Sequence, residues 1–141
     1  MINILQFKLN VYYKFRLSGA AAADNLDLYV AFDPNKRLRS GYTKIMKSFG
    51  LSTTEFTNEK IKFSNDFEIH SVPFEVGILK FNDNYFDLVF TSPPFFDYEI
   101  YNPENPNYIN WINDFYIPLV QQVIMNINFL LDYYNVLKIL L

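Results

Sequence analysis

The apolar residues of this chain alternate between short continuous runs and helix-spaced series. Residues 28–32 are a continuous apolar run that ends at Asp33 and Pro34, and residues 38–49 then place apolar side chains three or four positions apart until Gly50. A short apolar run followed by a helix start predicts a buried strand and an amphipathic helix. In this prediction Asp33 is the helix N-cap, Pro34 is the first helical residue and Gly50 ends the helix.

Two more strands and a second helix are predicted farther along the chain. Residues 67–71 alternate in polarity before Pro73, and residues 86–91 are a β-branched and aromatic run. The apolar side chains of residues 111–130 have helical spacing, and Pro118 predicts a bend in that helix. Strands separated by helices, without hairpin turn signals, predict an α/β fold with a mostly parallel sheet and flanking helices.

Composition narrows the class of protein. The chain has 141 residues, of which 50% are hydrophobic and 19% are charged, so a single folded domain is expected and disorder is excluded for most of the chain. With a net charge of -3, the protein as a whole lacks the positive field that attracts phosphate backbones, so any contact with nucleic acid must be local. One histidine and no cysteine argue against a metal site and against disulfides. With Lys8, Lys14 and Arg16 interrupting the first apolar segment, neither a signal peptide nor a membrane span is expected.

The strongest chemical signal follows the predicted strand 86–91. Ser92, Pro93, Pro94 and Phe95 would stand at the carboxyl end of a parallel strand, where open α/β sheets bind their ligands. Each proline lacks an N–H group, so the Ser92 hydroxyl and the neighbouring carbonyls are presented as hydrogen-bond acceptors. Such acceptors suit an amino group as the ligand.

This tetrapeptide resembles the (Asp/Asn/Ser)-Pro-Pro-(Tyr/Phe/Trp) signature of the S-adenosylmethionine-dependent amino-methyltransferases, which methylate the exocyclic nitrogen of adenine or cytosine in DNA. The resemblance implies a Rossmann-like methyltransferase sheet, S-adenosylmethionine as the cofactor, DNA as the substrate and no metal. It also implies that Ser92 Oγ and the Pro93 carbonyl accept hydrogen bonds from the amine, next to the rigid Pro94. Phe95 would stack on the extruded base.

Residues 32–35 and 41–42 are similar to the second strand and the following helix in a viral and phage branch of this family. The resemblance implies that Asp33 accepts hydrogen bonds from the cofactor ribose. It places Ser71 and Glu75 beside the cofactor adenine. A plain helix-capping role for Asp33 has equal weight, and one residue can serve both roles. A cytoplasmic or virus-associated intracellular location is expected, without secretion.

The chain also departs from the family. The resemblance covers about residues 16–122, and no Gly-x-Gly turn is present to cradle the methionine part of the cofactor. Residues 16–20 resemble the helix after that turn, so the first strand is expected to be absent. Residues 128–134 stand where a glycine turn and a further strand are expected. The sequence therefore predicts a single partial methyltransferase domain over residues 1–141, truncated at both ends.

Two functions stay open from the sequence. One is methyl transfer to an amino group of DNA, with adenine and cytosine undistinguished and RNA or protein substrates still possible. The other is a catalytically inactive remnant or interaction module, for which weak or absent cofactor binding is expected unless a complementing chain supplies the cradle. Asp33 and Ser92 are predicted to end neighbouring parallel strands and to open into one cleft. His70, which has no acidic partner at a recognisable spacing, is interpreted as structural.

Overall fold

The computed structural model describes residues 2–7, 13–23, 26–91 and 107–127. This part of the chain contains six strands and five α-helical segments, and β3, β4 and β5 follow one another without an intervening helix. The strands are β1 (Ile2–Phe7), β2 (Leu26–Phe32), β3 (Thr53–Phe56), β4 (Lys60–Phe63), β5 (Phe67–His70) and β6 (Leu88–Thr91). The helices are α1 (Tyr13–Ala21), α2 (Arg39–Ser48), α3 (Phe74–Gly77), α4 (Tyr108–Trp111) and α5 (Ile117–Asn126).

The strands form one mixed sheet in the order β3-β4-β5-β2-β1-β6. Neighbouring strands from β5 to β6 are parallel, whereas β3 pairs with β4, and β4 with β5, in antiparallel fashion. The α/β class predicted from the sequence is confirmed, but the expectation of a mostly parallel sheet is wrong. The sequence pattern did not predict the hairpin of β4 and β5. Its turn contains Asn65 and Asp66, which have φ angles of 59° and 55°. Asn and Asp tolerate this left-handed conformation, which favours tight antiparallel turns.

The expectation that the first strand is absent is wrong, because β1 is an interior strand of the sheet. It lies between β2 and β6 and pairs with both in parallel. Its sequence, Ile-Asn-Ile-Leu-Gln-Phe, is rich in strand-forming residues. Leu5 of this strand is fully buried.

The helix after β2 begins later than the sequence predicts. Asn35 is the N-cap of a 3-10 turn, Lys36–Leu38, and its side chain accepts a hydrogen bond from the Arg37 N–H at 3.2 Å. Asp33 instead accepts from the Asn35 N–H at 2.9 Å, which is a local turn preceding the cap. The predicted capping role of Asp33 and the predicted first helical position of Pro34 are therefore wrong. Gly50, with a φ of 77°, follows α2 as predicted.

Helices cover both faces of the sheet. On one face, α1 and α2 pack against the inward side chains of β2, β4 and β5, including Tyr29, Ile61 and Ile69. On the other face, α3 and α5 pack against Val30 and Phe32 of β2. The last four residues of β2, Tyr29–Phe32, are thus buried on both sides, as is typical of parallel sheets.

The last helix is irregular just before Pro118. A π-helical turn, Ile112–Tyr116, joins α4 to α5, and the Ile117 N–H donates to the Ile112 carbonyl. Because proline has no N–H, it cannot complete the regular helical bond to the residue four positions earlier, Asp114. The helix thus carries a π turn just before Pro118, where the sequence predicts a bend. The helix ends at Asn126, and Ile127 forms a parallel bridge with Phe86.

Candidate functional site at the carboxyl edge of the sheet

The four parallel strands end in one row. The register pairs His70 with Phe32, Phe32 with Phe7, and Phe7 with Thr91. The connections from β1 to β2 to β5 run in one direction across the sheet, and β6 lies on the other side of β1. Ligands of open α/β sheets bind outside the carboxyl ends of the strands at such a reversal of strand order.

Asp33 directly follows β2 at this edge and is 5% exposed. Its Oδ1 accepts from the Asn35 N–H, and its Oδ2 accepts a hydrogen bond from the Tyr42 hydroxyl of α2. Burial raises the pKa of the Asp33 carboxyl group, while the hydrogen bonds from Tyr42 and Asn35 oppose that rise. The carboxylate therefore joins the end of β2 to α2, and one acceptor site of each oxygen is used within the protein.

Ser71 follows β5 and lies beside Asp33. The Asp33 N–H donates to the His70 carbonyl at 2.9 Å, which holds the two strand ends together. Ser71 is buried, and its own N–H donates to the Glu59 carbonyl at 2.6 Å. Glu75 is exposed in the first turn of α3. The structure thus brings Asp33 and Ser71 together, with the Ser71 N–H already engaged.

The predicted catalytic residues Ser92, Pro93, Pro94 and Phe95 lie outside the described residues, as do the divergent residues 128–134. The strand that leads to the motif is described as far as Thr91, and it is not a neighbour of β2, because β1 lies between them. The prediction that Asp33 and Ser92 end neighbouring strands is therefore wrong. Both strands nevertheless end at the same edge.

Sequence reasoning missed the role of Arg39. Its Nη1 donates to the Asn58 carbonyl at 2.9 Å, its Nη2 donates to the Thr57 carbonyl, and its guanidinium group lies 4.3 Å from the ring centroid of Phe56. These contacts hold the turn between β3 and β4 against the start of α2. Because Glu59 of that turn accepts the Ser71 N–H, Arg39 is a positioning residue for one wall of the site. A basic residue in an amphipathic helix carries no sequence signal for such a contact.

Gly77 is a second position that sequence reasoning missed. A Cβ atom built on Gly77 would lie 2.1 Å from Cε1 of Phe32, the last residue of β2. Such a distance is far inside van der Waals contact, so only glycine lets α3 approach the strand end. The Phe32 ring is also enclosed by His70, at 5.1 Å between ring centroids, and by Phe74 at 5.7 Å.

His70 does have an acidic partner, Glu68, two residues earlier on the same side of β5. The His70 Nε2 and Glu68 Oε2 atoms are 3.1 Å apart. This hydrogen bond, helped by the charge of Lys60 and by a hydrogen bond from Lys62, lowers the pKa of Glu68 to about 2, against the opposing effect of burial. The His70 ring packs between aromatic rings, including that of Phe81 at 5.9 Å. This packed environment agrees with the structural interpretation of His70.

Two open clefts among the described residues lie away from the carboxyl edge. One, of about 340 Å³, is lined by Asn3, Asp27 and Leu28 near the amino ends of β1 and β2, together with Lys62, Asp66, Glu68, Phe81 and Tyr85. The other, of about 360 Å³, lies between the end of α2 and the start of β3. In ranges 2–7, 13–23, 26–91 and 107–127, no group of three or more potential ligands is arranged to hold a metal ion. No helix of this described part is long and apolar enough to cross a membrane.

Comparison with protein-family models, with curated protein sequences and with solved structures finds no match to this chain. Functional conclusions must therefore come from the chemistry of the carboxyl edge and from the motif that adjoins it, because a fold alone does not specify an activity.

Proposed function

We propose that this chain is an S-adenosylmethionine-dependent amino-methyltransferase that acts on the exocyclic amino group of adenine or cytosine in DNA. The observation that carries the proposal is the common end row of the four parallel strands, together with the reversal of strand order between β1 and β6. The reversal supports the proposal, because Rossmann-like half-sheets bind their cofactor at such a reversal of strand order. The Ser-Pro-Pro-Phe motif follows Thr91 without an intervening residue.

The residues at this edge fit the ribose of the cofactor better than its adenine. Asn35 and Tyr42 use one acceptor site on each Asp33 oxygen, so each oxygen keeps a second lone pair to which a ribose hydroxyl can donate. The Ser71 N–H is engaged by Glu59, so adenine recognition falls to the Ser71 hydroxyl and to Glu75. Without glycine in residues 8–12, close backbone approach to the cofactor is hindered. A weak dissociation constant, on the order of 1 mM, is therefore expected.

In the proposed reaction, S-adenosylmethionine supplies an electrophilic methyl group. The residues of the motif orient the target amine: Ser92 Oγ and the Pro93 carbonyl accept its two N–H groups, so that the nitrogen lone pair points toward the methyl carbon. The new N–C bond forms as the S–C bond breaks, and the nitrogen then loses a proton to solvent. Neither a covalent enzyme intermediate nor a metal takes part.

A second candidate function is a non-catalytic binding module that retains the fold. It is favoured by the engagement of the Asp33 carboxylate and the Ser71 N–H within the protein. In that case these polar groups of the carboxyl edge already have hydrogen-bond partners within the protein and need no ligand.

Transfer of labelled methyl groups to DNA distinguishes the two functions. At a cofactor concentration of about 1 mM, chosen for weak binding, we expect slow transfer by the wild-type chain. Ser92→Ala should lower the rate by roughly 100-fold without weakening cofactor binding, because its hydrogen bond acts on the amine in the transition state. Ser52→Ala, at an exposed serine far from the edge, is the matched control and should not change the rate. Absence of transfer by the wild type would favour the non-catalytic module, whereas transfer at equal rates by both variants would contradict the role proposed for Ser92.

A further inference from the structure

Charge is segregated between the two helical layers. Helix α1 and residues 36–48 contain no acidic residue, although the chain has 15. They hold seven of the 12 basic residues, namely Lys14, Arg16, Lys36, Arg37, Arg39, Lys44 and Lys47. On the opposite face, residues 108–126 hold one acidic residue, Asp114, and no basic one. An acidic protein thus presents one locally basic face.

Four of these basic side chains are available to a partner. The guanidinium group of Arg16 lies 4.4 Å from the ring centroid of Phe90, and Arg39 is buried against the turn between β3 and β4. In contrast, Lys36, Arg37, Lys44 and Lys47 are exposed. None of the ion pairs found within the described ranges involves one of these four side chains.

The exposed cations form a stripe along the outer side of α2. Arg37, Lys44 and Lys47 recur at helical spacing, opposite the buried residues Tyr42 and Met46. The stripe is about 15 Å long, since each helical residue advances about 1.5 Å. It begins beside Asp33, at the carboxyl edge of the sheet. Phosphates of one nucleic-acid strand recur about every 3.4 Å along the duplex axis, so a stripe of this length spans several of them.

We propose that this α2 stripe binds the phosphodiester backbone of DNA next to the carboxyl edge. The choice of DNA among nucleic acids rests on the proposed function, whereas the choice of a polyanion rests on the charges. A membrane surface fits less well, because the apolar side of α2 is packed on the sheet. A nucleic-acid strand is favoured over an acidic protein, because its phosphates follow one another along a line, as the cations of the stripe do.

Fluorescence anisotropy of the full chain with a labelled duplex of about 20 base pairs, in the absence of cofactor, tests the proposal. Two triple variants remove equal charge: Arg37→Gln, Lys44→Gln and Lys47→Gln in the stripe, and Lys60→Gln, Lys62→Gln and Lys80→Gln elsewhere. We expect the stripe substitutions to weaken DNA binding at least about tenfold. For the wild type, log affinity should fall with log salt concentration at a slope of about -3, as three phosphate contacts require, and the stripe variant should lose most of this slope. The control triple variant should bind DNA like the wild type. If either triple variant does not fold, the single variants Lys44→Gln and Lys80→Gln replace the two triples.

Several outcomes would overturn the proposal. One is that the chain does not bind DNA even at low salt, and another is that both sets of substitutions weaken binding equally. Displacement of DNA by polyglutamate at equal charge would also contradict the proposal, as would stronger binding to phosphatidylserine vesicles than to DNA. Because the measurement needs no cofactor and no methyl transfer, DNA binding without transfer counts against the proposed function alone. Methyl transfer with unchanged DNA affinity in the stripe variant counts against this surface alone.

Discussion

The parallel and antiparallel parts of the sheet are stabilised differently. In the parallel part, all four residues from Tyr29 to Phe32 of β2 are at most 1% exposed, because helices cover both faces. In the antiparallel part, β4 alternates buried Ile61 and Phe63 with partly exposed lysines, and β3 is mostly exposed. Lys62 pairs with Glu68 at 3.3 Å and with Asp66 at 3.0 Å.

This difference separates the roles of the two parts. Close packing holds the parallel strand ends in one row, and that row is the candidate site. The antiparallel hairpin contributes a wall, through Glu59, and a ladder of partly exposed charges whose individual contributions are small. Substitutions in the parallel part should therefore cost more stability than substitutions in the charge ladder.

The largest effect is expected at Gly77. In Gly77→Ala the new Cβ would clash with the enclosed Phe32 ring, so the free energy of unfolding should fall by about 1–3 kcal/mol, the usual cost of overpacking. Gly19→Ala is the matched control, because a Cβ at this position of α1 would meet no neighbouring atom within 4 Å, and alanine there should stabilise the helix by about 0.5–1 kcal/mol. Chemical denaturation measures both, and equal stability of the two variants would show that α3 does not pack on β2 as described.

A somewhat smaller effect is expected from Tyr42→Phe, which removes the hydroxyl that donates to Asp33. The loss should be about 1–2 kcal/mol near neutral pH, because a buried charged acceptor loses its donor. Burial already raises the pKa of Asp33, so protonation favours the folded state. The cost should therefore be largest above the ordinary carboxyl range and shrink as the pH falls. Tyr85→Phe, at a partly exposed ring, is the control, and a cost that does not change with pH would argue against this pairing.

The smallest effect is expected from Glu68→Gln in the charge ladder. The pKa of Glu68 is lowered to about 2 in the folded protein, against an ordinary value of 4.5. The contribution of ionised Glu68 to the free energy of unfolding is therefore present above about pH 4.5 and is lost as the pH falls toward 2. We expect roughly 1 kcal/mol, because the ladder is partly exposed to solvent. Stability measured from neutral pH to pH 2 should fall less steeply in the variant, and parallel curves would contradict the assignment.

Local patterns in the sequence were sufficient to predict β2, α2 and β6. The run before Asp33, the helix ending near Gly50 and the strand before Ser92 each combine a periodic pattern with a terminator. The antiparallel pairing of β4 with β5 was not predicted, because the turn between them contains two left-handed residues, Asn65 and Asp66, rather than glycine.

The details of the site depend on contacts between distant segments. The hydrogen bond from Tyr42 to Asp33 and the approach of Gly77 to Phe32 arise only when helices pack on the sheet. The strand order that separates β2 from β6 depends on β1, whose pairing partners lie far apart in the sequence. Such contacts have no local signature.

We propose that S-adenosylmethionine binds at the carboxyl edge of the parallel strands. Titration of the isotope-labelled chain with S-adenosylmethionine, followed by amide NMR, detects binding even at a dissociation constant of about 1 mM. The account predicts saturable shifts at the amides of Asp33, Asn35 and Ser71, at the carboxyl edge. It would be contradicted by the absence of shifts, or by shifts confined to Asn3 and Leu28 in the cleft near the amino ends of β1 and β2.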